Sequence, residues 1–210
     1  MYRIALGIEY DGATFSGWQA QSSPQLETVQ ENLEAALSRI AAHPIKTICA
    51  GRTDAGVHAM NQVVHFDSPV NRGEKAWSTG VNSLLPPSIR VTWARDVDND
   101  FHARFSATAR NYKYLVYSQK TERPMLWKRA LRVPQKLNIP AMNEAAAHII
   151  GEHDFSAFRA AGCQSKSPYR CVINANWTRR GAFVIFNIKA NAFLLHMVRN
   201  IVGSFLDVGK

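Results

Sequence analysis

Residues 51–59 read Gly51-Arg52-Thr53-Asp54-Ala55-Gly56-Val57-His58-Ala59. The stretch places one carboxylate, Asp54, two residues after Arg52 and between two glycines. Glycine has no Cβ, so a turn built in this way can lift Asp54 from the surface and let a bulky partner approach the backbone. The alternative is a hairpin turn in which Asp54 only hydrogen-bonds its own backbone. The spacing alone leaves both interpretations open.

Composition indicates a globular protein of one large or two small domains. The chain has 210 residues, of which 46% are hydrophobic and 20% charged. No apolar run reaches the roughly 18 residues of a membrane helix, and the N-terminus enters a strand pattern without a leader. Cys49, Cys163 and Cys171 are widely spaced, which predicts reduced thiols in a cytoplasmic protein. Without a Cys-x-x-Cys or paired-His spacing, we expect no metal site.

The charge is unevenly distributed along the chain. The net charge is +9, yet residues 1–103 hold 8 Lys/Arg against 11 Asp/Glu. Residues 104–210 hold 17 Lys/Arg against 5 Asp/Glu, and no acidic residue occurs between Phe155 and Leu206. A half this one-sided predicts a polyanionic partner, and nucleic acid is the commonest one. A membrane surface ranks well below, because no helix opposes a basic face to a Trp/Phe/Leu face.

Hydrophobic periodicity predicts an α+β chain in which strands and helices alternate. Strands are expected at 2–10, 46–50, 62–66, 90–97, 111–118, 171–178 and 182–189. Helices are expected at 27–42, near 74–85, at about 140–150 and at about 192–206. The connection near 98–108 is the best boundary, which gives an N-terminal half 1–103 and a basic C-terminal half 104–210. We expect two similar halves whose sheets face a shared cleft.

Two further segments contain side chains that suit RNA binding or catalysis. Residues 101–117 interleave five aromatic residues with Arg104, Arg110 and Lys113, a texture that suits phosphates and unpaired bases. A Tyr-rich strand with alternating core and surface positions is the alternative. Residues 191–203 read as an apolar helix with one charge, Arg199. A buried guanidinium needs a carboxylate, and its bidentate fork makes Asp54 a natural partner.

Four segments together resemble the TruA family of tRNA pseudouridine synthases. They are residues 10–19, 51–59, 101–114 and 193–203, and they occur in family order across essentially the whole chain. The resemblance implies the pseudouridine synthase fold, with two pseudo-symmetric antiparallel-sheet halves and flanking helices around a basic cleft. It also implies a homodimer without cofactor or metal. The substrate would be tRNA, at uridines around positions 38–40 of the anticodon arm, where a base is extruded with comparative ease.

The resemblance also implies roles for individual residues. Asp54 matches the catalytic aspartate, which adds to the sugar or the base or removes a proton at C2′. Arg52 matches the arginine that fills the space left by the flipped base. Tyr112 matches the tyrosine that stacks on the target uracil and assists proton removal at C5. Arg199 matches the arginine that pairs with the aspartate and keeps it ionised. The remaining substrate-binding candidates are His58, which positions the loop, and Arg104, Arg110 and Lys113.

The chain departs from the family pattern at three places. Asn111 stands where a second arginine is common, and Leu195 where a second histidine is common. The chain stops at Lys210, whereas family members usually continue for several tens of residues, which predicts C-terminal truncation.

Two other function classes remain. A non-catalytic RNA-binding protein would explain the basic half, and a carboxylate-dependent hydrolase would need a second acidic group that this half scarcely offers.

Overall fold

The two halves of the chain fold as separate units in a computed structural model that describes residues 1–21 and 26–210. The first unit is Met1–Ala107 and the second is Thr108–Lys210. Each unit has its own sheet and its own hydrophobic core. Strands and helices alternate in both, which confirms the α+β class. No helix within the described ranges is long and apolar enough to cross a membrane.

The sheet of the first unit is antiparallel and has the order β2-β3-β1-β4. Strand β1 is central, and its Ile4, Leu6 and Ile8 are fully buried. The long strand β3 pairs with β1 on one side and with the two-residue β2 on the other. The strand bounds are β1 Tyr2–Tyr10, β2 Ile48–Cys49, β3 Ala59–Ser68 and β4 Ile89–Val97.

Helix α1, Val29–Ala41, confirms the predicted helix and covers this sheet. Its Val29, Leu33 and Leu37 are fully buried, as their spacing along one stripe predicts. The Thr28 side chain accepts the Glu31 amide and caps the first turn, and a left-handed Ala42 ends the helix. The segment expected as a helix near 74–85 contains a π-helical stretch, Ala76–Gly80.

The sheet of the second unit has the order β6-β5-β9-β8-β7 and is antiparallel except at one edge. There the two-residue β6 pairs with β5 in parallel, and the other pairs are antiparallel as expected. Parallel pairing requires a long connection, which residues 118–130 supply. The strand bounds are β5 Arg110–Tyr117, β6 Leu131–Arg132, β7 Gly151–Asp154, β8 Tyr169–Arg180 and β9 Phe183–Ala190.

Two helices cover the second sheet, α2 Ile139–Ala147 and α3 Met197–Gly209. Helix α3 begins at Met197 and not near 192, which corrects the expected start. His196 has a left-handed backbone with φ 58°, which a right-handed helix cannot include. Leu195 is tied elsewhere, because its carbonyl accepts the Ala160 amide at 3.1 Å. Apolar periodicity does not distinguish such a buried connection from a helical turn.

Candidate active site

Asp54 occupies the first position of a tight turn. The Val57 amide donates to the Asp54 carbonyl oxygen at 3.1 Å and closes the turn through the main chain. Gly56 at the third position has φ 76°, a backbone angle that a type II turn requires and that glycine adopts without strain. Asp54 itself is half-buried, and Arg52 two residues before it is exposed. The turn thus fixes the backbone on which the carboxylate stands.

The segment that links β1 to α1 holds this loop on both sides of Asp54. The Trp18 amide donates to the Thr53 carbonyl at 3.0 Å, and the Gly56 amide donates to the Phe15 carbonyl at 3.3 Å. The Tyr10 hydroxyl lies 2.7 Å from the Thr53 hydroxyl. Trp18 and Phe15 are themselves buried in the core. Asp54 is therefore supported by backbone contacts that reach directly into the hydrophobic core.

Two glycines allow this close approach. A Cβ on Gly12 would lie 2.0 Å from the Val57 carbonyl oxygen. A Cβ on Gly17 would lie 2.8 Å from the Thr53 carbonyl oxygen, and Gly17 has φ 105°. No other residue type fits at either place without moving the Asp54 loop. From the sequence, only the family resemblance singled out segment 10–19. These contacts show that the segment supports the Asp54 loop.

His58 connects the end of the loop to the same segment. Its Nδ1 lies 3.2 Å from the Gly12 amide nitrogen and 3.0 Å from Asp11 Oδ1. One ring nitrogen can accept from the amide when it is unprotonated, or donate to the carboxylate when it is protonated. Asp11 is held in place because its Oδ1 also accepts the Ala13 amide at 3.0 Å. In either protonation state, His58 links the loop to residues 11–12.

Gln62 anchors the start of the loop and was missed by the sequence analysis. Its side chain is buried and both accepts from the Gly51 amide and donates to the Gly51 carbonyl. Its contact with Gly51 depends on strand pairing, so no local sequence pattern indicated it. Just before the loop, burial raises the pKa of the Cys49 thiol to about 11. A thiol with this pKa stays protonated at neutral pH and does not act as a nucleophile there.

The connection after β4 is tied to the first sheet through His65. The His65 ring is buried, and its Nδ1 accepts the Ala103 amide at 3.1 Å. Burial lowers the pKa of His65, so the ring is neutral at physiological pH. Beside this anchor, the exposed Phe105 ring stacks on His102 with centroids 4.3 Å apart. The Arg104 guanidinium lies 5.7 Å from the Phe105 ring centroid.

Strand β5 separates the other aromatic and basic candidates onto two faces. Tyr112 and Arg110 share one face because side chains alternate along a strand, and Lys113 lies on the opposite face. The Tyr112 ring packs its edge against Phe193 at 5.0 Å between centroids. Arg110 Nη1 donates to the Asn191 carbonyl at 2.8 Å. The structure thus places Tyr112 with Arg110, and not with Lys113.

Arg199 is exposed, which corrects the expectation that its guanidinium is buried. It lies in the first turn of α3, whose core-facing residues are Met197, Ile201, Val202 and Phe205. Arg199 falls between these positions and points away from the core of its own unit. An exposed guanidinium does not require a carboxylate partner, so the expected pair between Arg199 and Asp54 rests on the family resemblance.

Metal-binding side chains do not gather anywhere in residues 1–21 and 26–210. No group of three His, Cys, Asp or Glu residues is close enough to hold a metal ion within these ranges.

A comparison with known proteins places the Asp54 loop within a family match. A sequence model of a family described as tRNA pseudouridine synthase matches residues 7–106 and 145–210. The first block includes the whole Asp54 loop and the segment that supports it, and the second includes Arg199. Tyr112 lies between the two blocks.

Named relatives extend the similarity over nearly the whole chain. The tRNA pseudouridine synthase A of Aeromonas hydrophila is 53% identical over 208 residues, which are 99% of this chain and 77% of that protein. The Shewanella denitrificans protein of the same name is 54% identical over 99% of this chain and 78% of its own length. That of Salmonella newport is 52% identical over all of this chain and 77% of its own length. The family match and these relatives show that the chain belongs to the tRNA pseudouridine synthase family.

Proposed function

We propose that this protein isomerises uridine to pseudouridine in tRNA, at about positions 38–40 of the anticodon arm, where a loop base can be extruded. The observation that carries the proposal is the Asp54 loop, which the core-anchored segment 10–18 holds on both sides. Relatives more than 50% identical are named tRNA pseudouridine synthase A, which supports the substrate class.

The proposed reaction breaks the N1–C1′ bond of uridine and forms a C5–C1′ bond. The uracil gains a proton at N1 and loses one from C5, so the composition is unchanged and no redox or group-transfer cofactor is required. Asp54 is the proposed catalytic group, and it either adds covalently to the nucleotide or removes a proton at C2′. Tyr112 is the proposed stacking partner of the uracil and assists removal of the C5 proton.

Proposed RNA binding uses exposed cations and aromatic rings. Arg52, exposed beside Asp54, would occupy the space that the flipped base leaves. Arg104 and the stacked Phe105 offer a cation and an exposed ring to an unpaired base. Arg110 and Lys113 would contact phosphates from the two faces of β5, and His58 would hold the loop in position.

Arg199 is proposed as the charged partner of Asp54, as the family resemblance implies. Its guanidinium is exposed in the first turn of α3. The family match over residues 145–210 includes Arg199 and supports this role.

The proposed assembly is a homodimer that acts on tRNA in the cytoplasm, following the family resemblance. Sedimentation of the purified protein at several concentrations tests the dimer directly. Chelation tests the absence of a metal requirement, because a chelator should leave the rate of pseudouridine formation unchanged.

The decisive experiment for the function is mass analysis of tRNA incubated with the protein. Pseudouridine at the target positions supports the proposal, free uracil would indicate a hydrolase, and unchanged RNA that is nevertheless bound would indicate a non-catalytic RNA-binding protein. Asp54→Asn removes the proposed catalytic group. Asp98→Asn removes an exposed carboxylate of the same unit and is the matched control.

A further inference from the structure

Residues 123–131 form an exposed turn in the second unit that the proposed reaction does not use. Pro124–Leu126 is a single 3₁₀ turn. The Trp127 amide donates to the Pro124 carbonyl at 3.1 Å, and the Arg129 amide donates to the Leu126 carbonyl at 2.9 Å. We call this segment the 123–131 turn. Its backbone hydrogen bonds give it a defined shape.

The 123–131 turn presents large apolar side chains to solvent. Trp127 is 70% exposed, Met125 is 83% exposed and Leu131 is 40% exposed. A tryptophan this exposed adds little to a core, because most of its ring buries no surface within the chain. Exposed apolar side chains that lie close together in the sequence, among polar residues, indicate a binding surface.

The charge around the turn identifies the partner. Residues 118–136 contain six Lys/Arg and a single acidic residue, Glu122. Arg123, Lys128 and Arg129 are all exposed beside the apolar side chains. Flat apolar faces next to negative charges are the chemistry of a nucleic acid, whose bases stack on aromatic rings and whose phosphates bind cations.

Lys128 holds the turn in a strained conformation. Its φ is 59°, a left-handed backbone that places a Cβ too close to the carbonyl oxygen. Glycine would relieve this strain, yet the position carries a cation between Trp127 and Arg129. Local strain of this kind is typical of binding sites, where stability is given up for side-chain placement.

We infer that the 123–131 turn is an RNA contact outside the reaction site, in which Trp127 stacks on a nucleotide while Arg123 and Arg129 bind adjacent phosphates. This inference rests on the proposed function, since the RNA is then the tRNA substrate. The turn is fixed to the Tyr117 end of β5, because the Arg123 amide donates to the Tyr117 hydroxyl at 3.3 Å. Tyr112 lies five residues back on the same strand, about 17 Å away at about 3.3 Å per residue. The contact therefore engages RNA several nucleotides from the flipped uridine.

Comparing two RNAs tests the inference with the full chain. One is a full-length tRNA transcript, and the other is a short hairpin that ends within about 17 Å of the target uridine and so lacks the RNA that the turn would contact. Trp127→Ala should raise KM for the full-length tRNA about tenfold through the lost stacking contact and leave kcat unchanged. The same variant should leave KM for the short hairpin close to that of the wild type.

Charge variants separate phosphate contacts from a general loss of charge. The double variant Arg123→Gln/Arg129→Gln should lower the slope of log Kd against log salt by about 1.4–1.8 for two phosphates. Arg39→Gln/Arg95→Gln removes the same charge from exposed sites of the first unit and should leave the slope unchanged. Lys128→Gly should raise Tm and weaken tRNA binding, which a merely structural turn would not do.

Each outcome decides for or against the inference. Wild-type KM and salt slope in the Trp127 and double Arg variants would overturn it and leave the proposed function intact. A change of sedimentation in these variants, with binding following the oligomeric state, would assign the turn to a protein interface and would also overturn it. If the wild type forms no pseudouridine, the proposed function fails, and direct tRNA binding by the same variants still decides the role of the turn.

Discussion

Replacing Gly12 with alanine perturbs Asp54 without touching it. The new Cβ would lie 2.0 Å from the Val57 carbonyl oxygen, whereas ordinary contacts begin at 3.4 Å. The two backbones must therefore separate by about 1.4 Å, the difference between these distances. Gly12 is not in the left-handed region, so the clash is the whole perturbation.

The displacement acts directly on the turn that carries Asp54. Val57 closes that turn by donating to the Asp54 carbonyl, so movement at Val57 shifts the turn. A misplacement of about 1 Å can lower a catalytic rate about 100-fold. Overpacking of this kind destabilises a protein by about 1–3 kcal/mol. We expect Gly12→Ala to lower single-turnover pseudouridine formation about 100-fold and to lower Tm by several degrees.

Gly73→Ala is the matched control for this prediction. Gly73 has φ 80° and a Cβ there would meet nothing within 4 Å, so the substitution strains the backbone without a clash. It should lower Tm and leave the rate unchanged. A Gly12→Ala protein that reacts within threefold of the wild type, measured at a temperature where it is folded, would refute the proposed support of Asp54 by segment 10–18.

Three further predictions concern single side chains. Tyr112→Phe should keep the stacking on uracil, whereas Tyr112→Leu should lose about 1–3 kcal/mol of stacking energy. Near-normal single-turnover rates in both variants would remove Tyr112 from the site. If both variants fail to react while the Tyr112→Phe protein still binds RNA, the hydroxyl relays a proton. Arg199→Met should change the free energy of unfolding by no more than about 0.5 kcal/mol, as at an exposed site, and yet abolish activity. Arg199→Lys should not restore full activity, because an ammonium lacks the bidentate fork. An active Arg199→Met protein would contradict the pairing with Asp54. The pKa of His65 lies below its usual 6.5 in the folded state, so the unfolded chain binds more protons and stability falls as pH drops below about 6.5. In denaturant titrations at pH 7.5 and pH 5, the His65→Gln protein should lose less unfolding free energy than the wild type. An equal loss in both proteins would refute this linkage.

Local patterns predicted the elements that local interactions determine. The stripe of Val29, Leu33 and Leu37 identified α1, because periodic burial and a Thr28 cap lie within the helix itself. Strand β6 was missed because two residues become a strand only through pairing with β5. The start of α3 was placed too early because residues 192–195 are apolar without being helical.

The site was predicted where its residues are contiguous in sequence. The Gly51–Ala59 loop contains Asp54, Arg52 and His58, so one stretch indicated them together. Gln62 and the contact between Gly12 and Val57 depend on the pairing of β1 with β3, which no local pattern encodes. Arg199 was expected to be buried because its neighbours are apolar, and only the helix geometry shows that it lies on the outer face.

Pseudouridine formation by Asp54→Asn protein tests the central claim most directly. Asparagine keeps the size of the side chain and removes the carboxylate, so the turn that the main chain closes should survive. We expect the rate of pseudouridine formation in tRNA to fall by about 10³-fold or more, with tRNA binding retained and Asp98→Asn fully active. An Asp54→Asn protein that forms pseudouridine within tenfold of the wild-type rate would contradict the assignment of Asp54 as the catalytic group.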